Sequence, residues 1–227
     1  MKPWNEMGRA KTPDGTELVL AERAGEWVVR AGGQVLMSSR VHGSEQALAA
    51  LALKRMGPSN RARTVLLGGV GLGFTLRATL DRLPEDARVV VAELVPELVA
   101  WNRGPLADLA GRPLDDPRTR LQIGDVKARI AEASEAFDAI LLDVDNGPSA
   151  LAQKSNATLY REAGIRACRL ALRPGGVLAV WSAGPDERFR ERLDRAGLSP
   201  EVHEVAATGQ GGRRHVIFLG TRERRRP

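Results

Sequence analysis

A strand that runs into four glycines and straight on into a helix leaves few folds open to a chain. The stretch Thr64-Val-Leu-Leu-Gly-Gly-Val-Gly-Leu-Gly-Phe-Thr-Leu-Arg77 has that form. Residues 64–67 are apolar or β-branched and predict a buried strand, and a helical pattern starts after Gly73. Between them, Gly68, Gly69, Gly71 and Gly73 let the backbone approach a ligand closely, because no Cβ stands in the way. Twenty residues after Gly73, Glu93 closes a second apolar run, Val89-Val-Val-Ala-Glu93. A carboxylate there can accept two hydrogen bonds from a ribose diol, so the pairing predicts an adenosine site.

The glycine spacing discriminates among nucleotides. A dinucleotide fingerprint needs a small residue at the third position so that helix and strand pack closely, and Phe74 stands there. No Lys-Ser/Thr pair follows the glycines, which excludes a phosphate loop. The pattern Gly69-x-Gly71-x-Gly73 instead resembles that of sulfonium-nucleoside transferases.

Strands are predicted at 64–67, 88–93, 120–123, 138–143 and 177–182, with helical patterns between them. That alternation implies βαβ units and a parallel sheet covered on both faces. Arg173-Pro-Gly-Gly176 is expected to break the chain before the fifth strand. After a helix at 186–196, segments 201–206 and 215–220 flank a glycine-rich turn and predict an antiparallel hairpin at the sheet edge. Five parallel strands closed by such a hairpin resemble the Rossmann-like class I methyltransferase fold, an α/β fold with a mostly parallel seven-stranded sheet.

Residues 1–60 read differently. Segments 16–23, 26–31 and 34–38 predict a small β-meander, followed by a helix at 45–56 with Ser44 as its N-cap. Gly57-Pro-Ser-Asn60 then forms a linker, so the expected division is 1–60 and 61–227.

Acids end the remaining strands. Gly124-Asp125 follows the third, where Asp125 can accept from an adenine amino group or cap the next helix. The fourth ends in Asp138-Ala-Ile-Leu-Leu-Asp143-Val-Asp-Asn-Gly-Pro148. Ligands in open α/β sheets bind outside the carboxyl ends of strands, which directs Asp143 at the reacting atoms. Asp145 and Asn146 are further candidates for substrate contact, as are His42, Glu45 and Trp181. Trp101 and Tyr160 read as core. Cys168, the only cysteine, excludes an internal disulfide and reads as a small core residue. The three histidines have no metal-ligand spacing, so no metal is expected.

The formal charge is +6, part of it in the arginine-rich end Arg222-Glu-Arg-Arg-Arg-Pro227. Aromatic residues make up 4% of the chain and do not interleave with basic segments, so a nucleic-acid partner is not expected. No apolar run has the length of a membrane span and the N-terminus has no leader-like h-region, which predicts a cytoplasmic protein.

Taken in order, Gly68–Arg77, Glu93, Asp116-Pro-Arg118, Gly124-Asp125, Asp138–Asp143, Gly147-Pro148 and Leu172-Arg-Pro-Gly-Gly-Val177 resemble spermidine synthases over residues 60–182. The N-terminal meander is also similar to that family's first domain. The resemblance implies a pocket for S-adenosylmethionine or its decarboxylated form at Gly69, Gly71, Gly73, Glu93 and Asp125. It also implies a reactive acid at Asp143, a small-molecule amine acceptor and a homodimer.

Three departures bear on the reaction. Leu72 stands where the family has an amine-binding Asp, and Gly43-Ser-Glu45 replaces a Tyr-His/Gln-Glu motif. Val144-Asp-Asn-Gly-Pro148 shortens the segment after the reactive acid. A diamine with two ammonium groups needs an acid at each end of its groove. Methyl transfer to a small nucleophile is therefore the expected reaction. The alternative is aminopropyl transfer to a non-standard amine, and a non-catalytic nucleoside-binding protein and an RNA methyltransferase are the remaining readings.

Overall fold

The computed structural model describes residues 2–59, 61–144, 158–208 and 214–224. Four strands form an antiparallel meander: β1 (Asn5–Lys11), β2 (Glu17–Arg23), β3 (Glu26–Ala31) and β4 (Gln34–Ser38), in that order. Three of these were expected. β1 was not, because its sequence NEMGRAK is mostly exposed and carries no alternating apolar pattern. It is held by pairing with β2, with an irregularity between Glu6 and Gly8. A Cβ on Gly8 would stand 2.7 Å from Trp101 Nε1, so only glycine lets β1 lie against that indole.

The second sheet has seven strands: β5 (Thr64–Gly68), β6 (Arg88–Glu93), β7 (Thr119–Ile123), β8 (Phe137–Leu142), β9 (Leu172–Ser182), β10 (Ser199–Ala206) and β11 (Arg214–Thr221). Their spatial order is β10-β11-β9-β8-β5-β6-β7. The five from β9 to β7 are parallel, whereas β11 runs antiparallel to both β9 and β10. The class I topology and its closing hairpin are as expected, and the last strand inserts between β9 and β10.

Among the described residues, six α-helices connect and cover the sheets, α1 (Gly43–Met56), α2 (Phe74–Leu80), α3 (Pro96–Arg103), α4 (Val126–Ala131), α5 (Glu162–Ala171) and α6 (Glu187–Arg195), together with a 3-10 turn at Pro113–Asp115. Among the described residues, no helix is long and apolar enough to cross a membrane. The period-two alternation of each buried strand sends side chains to two cores. Val65 and Leu67 of β5 join Leu20 and Val29 of the meander and Leu48 of α1. Leu66 faces the other way, with Ile130, Ile165 and Phe189 of α4, α5 and α6. The meander thus shares one core with the large sheet, and α1 packs on α2 and β9.

Two local expectations are corrected. Arg173–Gly176 does not precede the fifth strand but lies inside it: β8 pairs Phe137 with Leu172 and then Ala139 with Val177, so the extra residues bulge out of the ladder. α1 starts at Gly43 with His42 in the N-cap position and no side-chain cap. Ser44 is fully buried, and its hydroxyl turns inward instead of capping.

Candidate active site

Two adjoining clefts open at the carboxyl ends of β5, β6 and β8. The first is lined on the large-sheet side by Gly69, Gly71, Glu93, Gly124, Asp125 and Asp143, and its opposite wall comes from the meander, through Thr12, Asp14, Leu36 and Met37. The second contains Glu45, Leu72, Phe74, Thr75 and Trp181. Gly71, Asp143 and Val144 border both.

The glycine loop is shaped by its backbone. Gly69 has φ +80°, a left-handed conformation that favours glycine, and a Cβ there would crowd the carbonyl of Asp143 at 3.2 Å. Gly71 has φ +52° and faces Met37. Gly73 turns the chain into α2 with φ +87°, but its Cβ position points at Asn102, Ala110 and Pro113. Gly73 therefore packs the loop onto α3 and lies outside the lining of both clefts, in contrast to the expected nucleoside contact.

Glu93 is buried and holds the loop from inside. Its Oε2 accepts from Val70 N and its Oε1 from Val95 N, each at 2.8 Å. Burial raises its pKa, and the backbone hydrogen bonds oppose that rise. Each oxygen keeps a second lone pair for a ligand hydroxyl. Asp125 takes the capping role that its sequence position allows. It caps α4 by accepting from Lys127 N at 2.8 Å, pairs with Lys127 Nζ at 3.2 Å, and still borders the first cleft.

Asp143 follows β8, and its Oδ2 accepts from the Thr75 hydroxyl at 2.8 Å. Glu45 accepts from Ser44 Oγ at 2.6 Å, and burial raises its pKa. On its other side, Ser44 Oγ lies 2.9 Å from Nδ1 of His215, which joins Glu45, Ser44 and His215 in one hydrogen-bonded chain. His215 also meets Trp181 edge-on, with ring centroids 4.6 Å apart. His42 lies outside the lining of the second cleft. Its ring stacks on Phe74 at 3.9 Å and its Nδ1 lies 2.9 Å from the Ser39 carbonyl, so it buttresses the wall. Asp145 and Asn146 lie outside the described residues.

Trp101, Tyr160 and Cys168 are core residues, and burial pushes the Cys168 thiol up to about 12. Among the described residues, no group of three or more His, Cys, Asp or Glu could hold a metal ion.

Sequence reasoning missed three parts of this site. Asn102 of α3 donates to the carbonyls of Gly71 and Leu98 at 2.8 and 2.9 Å and so fixes the glycine loop from behind. Thr75 was one of several polar residues on α2. The Thr12–Asp14 turn carries no signal that it reaches a cleft formed fifty residues later, although Pro-Asp-Gly does mark it as a turn.

The clefts have one electrostatic sign. Asp14, Asp125, Asp143, Glu45 and Glu93 line them, and none of the described lining residues is Lys or Arg. In a chain of net charge +6 this is a local reversal suited to cationic ligands.

Comparison with known proteins agrees with the architecture. The spermine/spermidine synthase domain model matches residues 45–187. A polyamine aminopropyltransferase of Nitrosomonas europaea is 36% identical over 125 residues, which is 54% of this chain and 36% of that protein. One from Prochlorococcus marinus is 32% identical over 145 residues, covering 63% and 48% respectively. The chain thus spans less than half the length of these curated relatives. Among solved structures, spermidine synthase from Thermotoga maritima superposes with a TM-score of 0.77 at 18% identity, covering 96% of this chain and 72% of that one. The O-methyltransferase TomG from Streptomyces achromogenes shares the fold more distantly, with a TM-score of 0.56 at 19% identity and 79% coverage of each chain. With the family model spanning more than half its length, the chain belongs to the spermine/spermidine synthase family.

Proposed function

We propose that the chain is an aminopropyltransferase that uses decarboxylated S-adenosylmethionine and an amine acceptor other than an ordinary diamine. The sign of the clefts carries this reading. S-adenosylmethionine brings an α-carboxylate, which needs a donor or a cation, and acids line the space it would enter. The decarboxylated form keeps the sulfonium and the amine, and both are favoured there. The expectation of methyl transfer accordingly gives way to its alternative, in keeping with the aminopropyltransferase names of the curated relatives.

In this reading Glu93 and Asp125 hold the nucleoside, and Gly69 and Gly71 let it approach the backbone. Asp143, common to both clefts, orients the acceptor amine. The amine's lone pair attacks the aminopropyl carbon next to sulfur and a C–N bond forms as the C–S bond breaks. Sulfur keeps the bonding pair and leaves in neutral 5′-methylthioadenosine, while the new ammonium gives its proton to Asp143 or solvent. The step gains chiefly from alignment of the two reactants. Leu72, buried in the acceptor cleft, removes one acid from that groove and favours acceptors with a single charge and an apolar body.

Calorimetric titration with both sulfonium nucleosides, followed by product analysis with a panel of amines, tests the reading. Tighter binding of the decarboxylated form and release of 5′-methylthioadenosine with a monoamine are expected. Preference for S-adenosylmethionine, or no release with any amine, overturns it.

A further inference from the structure

At the opposite end of β8 from Asp143 lies a third cleft, open to solvent, with the reverse charge. Its centre is Asp138, 2% exposed. Arg61 binds this carboxylate with two nitrogens, Arg173 reaches its Oδ2 at 3.1 Å, and Arg63 lies 3.5 Å from its Oδ1. The backbone N–H of Thr64 adds a fourth donor at 2.8 Å. Arg224 also lines the cleft, lying over Gly175 with its Nε 3.0 Å from that residue's Cβ position, and has no hydrogen-bond or ion-pair partner among the described residues.

Three guanidinium groups, those of Arg61, Arg63 and Arg173, therefore meet one carboxylate, and Arg224 of the same cleft brings the local excess to three positive charges. Such a concentration is costly to assemble without a counter-charge, and guanidinium forks match phosphoryl oxygens in geometry. Two local features build the site. The bulge at Arg173–Gly176 turns Arg173 towards Asp138, and glycine at 175 leaves space for Arg224 to lie across the strand. The hydroxyl of Ser59 lines the same cleft as a further donor.

We propose that this cleft binds a small polyanion with two linked phosphoryl groups, whether free diphosphate or the diphosphate of a nucleotide. A diphosphate carries a charge of about −3 at neutral pH, which matches the excess. The site is separate from the transferase clefts. Asp138 near the start of β8 and Asp143 just past its end stand five residues apart, or about 17 Å along the extended chain, and the acids around Asp143 repel such a ligand.

Isothermal titration of the full chain with inorganic pyrophosphate, orthophosphate and ADP tests the site. Pyrophosphate and ADP are expected to bind with one site per chain, and orthophosphate more weakly. Arg224→Ala is expected to weaken pyrophosphate at least about tenfold with an unchanged melting temperature, because Arg224 holds no other group. Arg190→Ala, at an exposed position on α6, is expected to leave binding unchanged. If Arg224→Ala proves unstable, Arg224→Lys replaces it, with weakening again expected from loss of the planar fork. Absence of pyrophosphate binding overturns the proposal, as does equal weakening by Arg190→Ala. Tight binding of a short RNA without pyrophosphate binding also overturns it and assigns the patch to nucleic acid.

Discussion

Thr75 and Asp143 meet across the gap between the first turn of α2 and the end of β8, hydroxyl to carboxylate, at 2.8 Å. The helix that the glycine loop launches thus orients the acid that faces both clefts. Asp143→Asn is expected to reduce turnover by about 10²–10⁴-fold with nucleoside affinity retained in calorimetry. Thr75→Val is expected to lower kcat about tenfold, the worth of one hydrogen bond to a charged group, with little change in nucleoside affinity. Full activity in Asp143→Asn removes this acid from the mechanism.

Leu72→Asp supplies the acid that the family places in this loop. The rate of 5′-methylthioadenosine release with 1,4-diaminobutane, relative to butylamine, is expected to rise about tenfold, the worth of one added charge-assisted hydrogen bond. Because Leu72 is buried, the variant is also expected to melt several degrees lower. An unchanged ratio in a folded variant shows that Leu72 does not set acceptor choice.

Asn102→Ala leaves the Gly71 carbonyl and the Leu98 carbonyl without their amide donor. A loss of about 1–3 kcal/mol in denaturant unfolding is expected for a buried polar group stripped of its partner, along with weaker nucleoside binding. Unaltered stability and affinity together assign the loop's shape to its glycines alone.

Arg118 holds the Asp116 carboxyl down to about 2, well below the usual carboxylate range, chiefly through a side-chain hydrogen bond. A depressed carboxylate stabilises the fold above its unfolded pKa, and that contribution is lost as pH falls through the folded value. Asp116→Asn is therefore expected to cost about 1–2 kcal/mol at pH 7. The gap from the parent should narrow between pH 4 and pH 2 in a urea-unfolding series. A gap that stays constant with pH assigns the loss to packing.

The parallel sheet was legible because its buried strands carry continuous apolar runs, such as Ala139–Leu142 of β8, and the glycine turn between Leu67 and Phe74 admits few conformations. β1 was not, since pairing with β2 and the fit of Gly8 on Trp101 hold it, and neither leaves a periodic trace. The bulge at Arg173–Gly176 read as a break because proline and two glycines look alike at the edge of a strand and within a bulge. In the site, Gly69, Gly71, Glu93, Asp125 and Asp143 come together, since strand ends in one parallel sheet share an edge. Gly73 and His42 support the walls instead, a distinction of side-chain direction that spacing does not encode. The partners that reach the site from distant segments, Asn102 and Met37, depend on tertiary docking.

The first cleft has its floor in one sheet and its roof in the other, with Met37 facing Gly71 and Asp14 on the wall opposite the large sheet. A ligand seated there acts as mortar between two courses of brick. Whatever free energy it gains from the roof is also free energy by which it holds the meander down, and the coupling is reciprocal. Substitutions in the outlying strands that loosen this docking will therefore register as lost nucleoside affinity, without touching a single atom of the glycine loop.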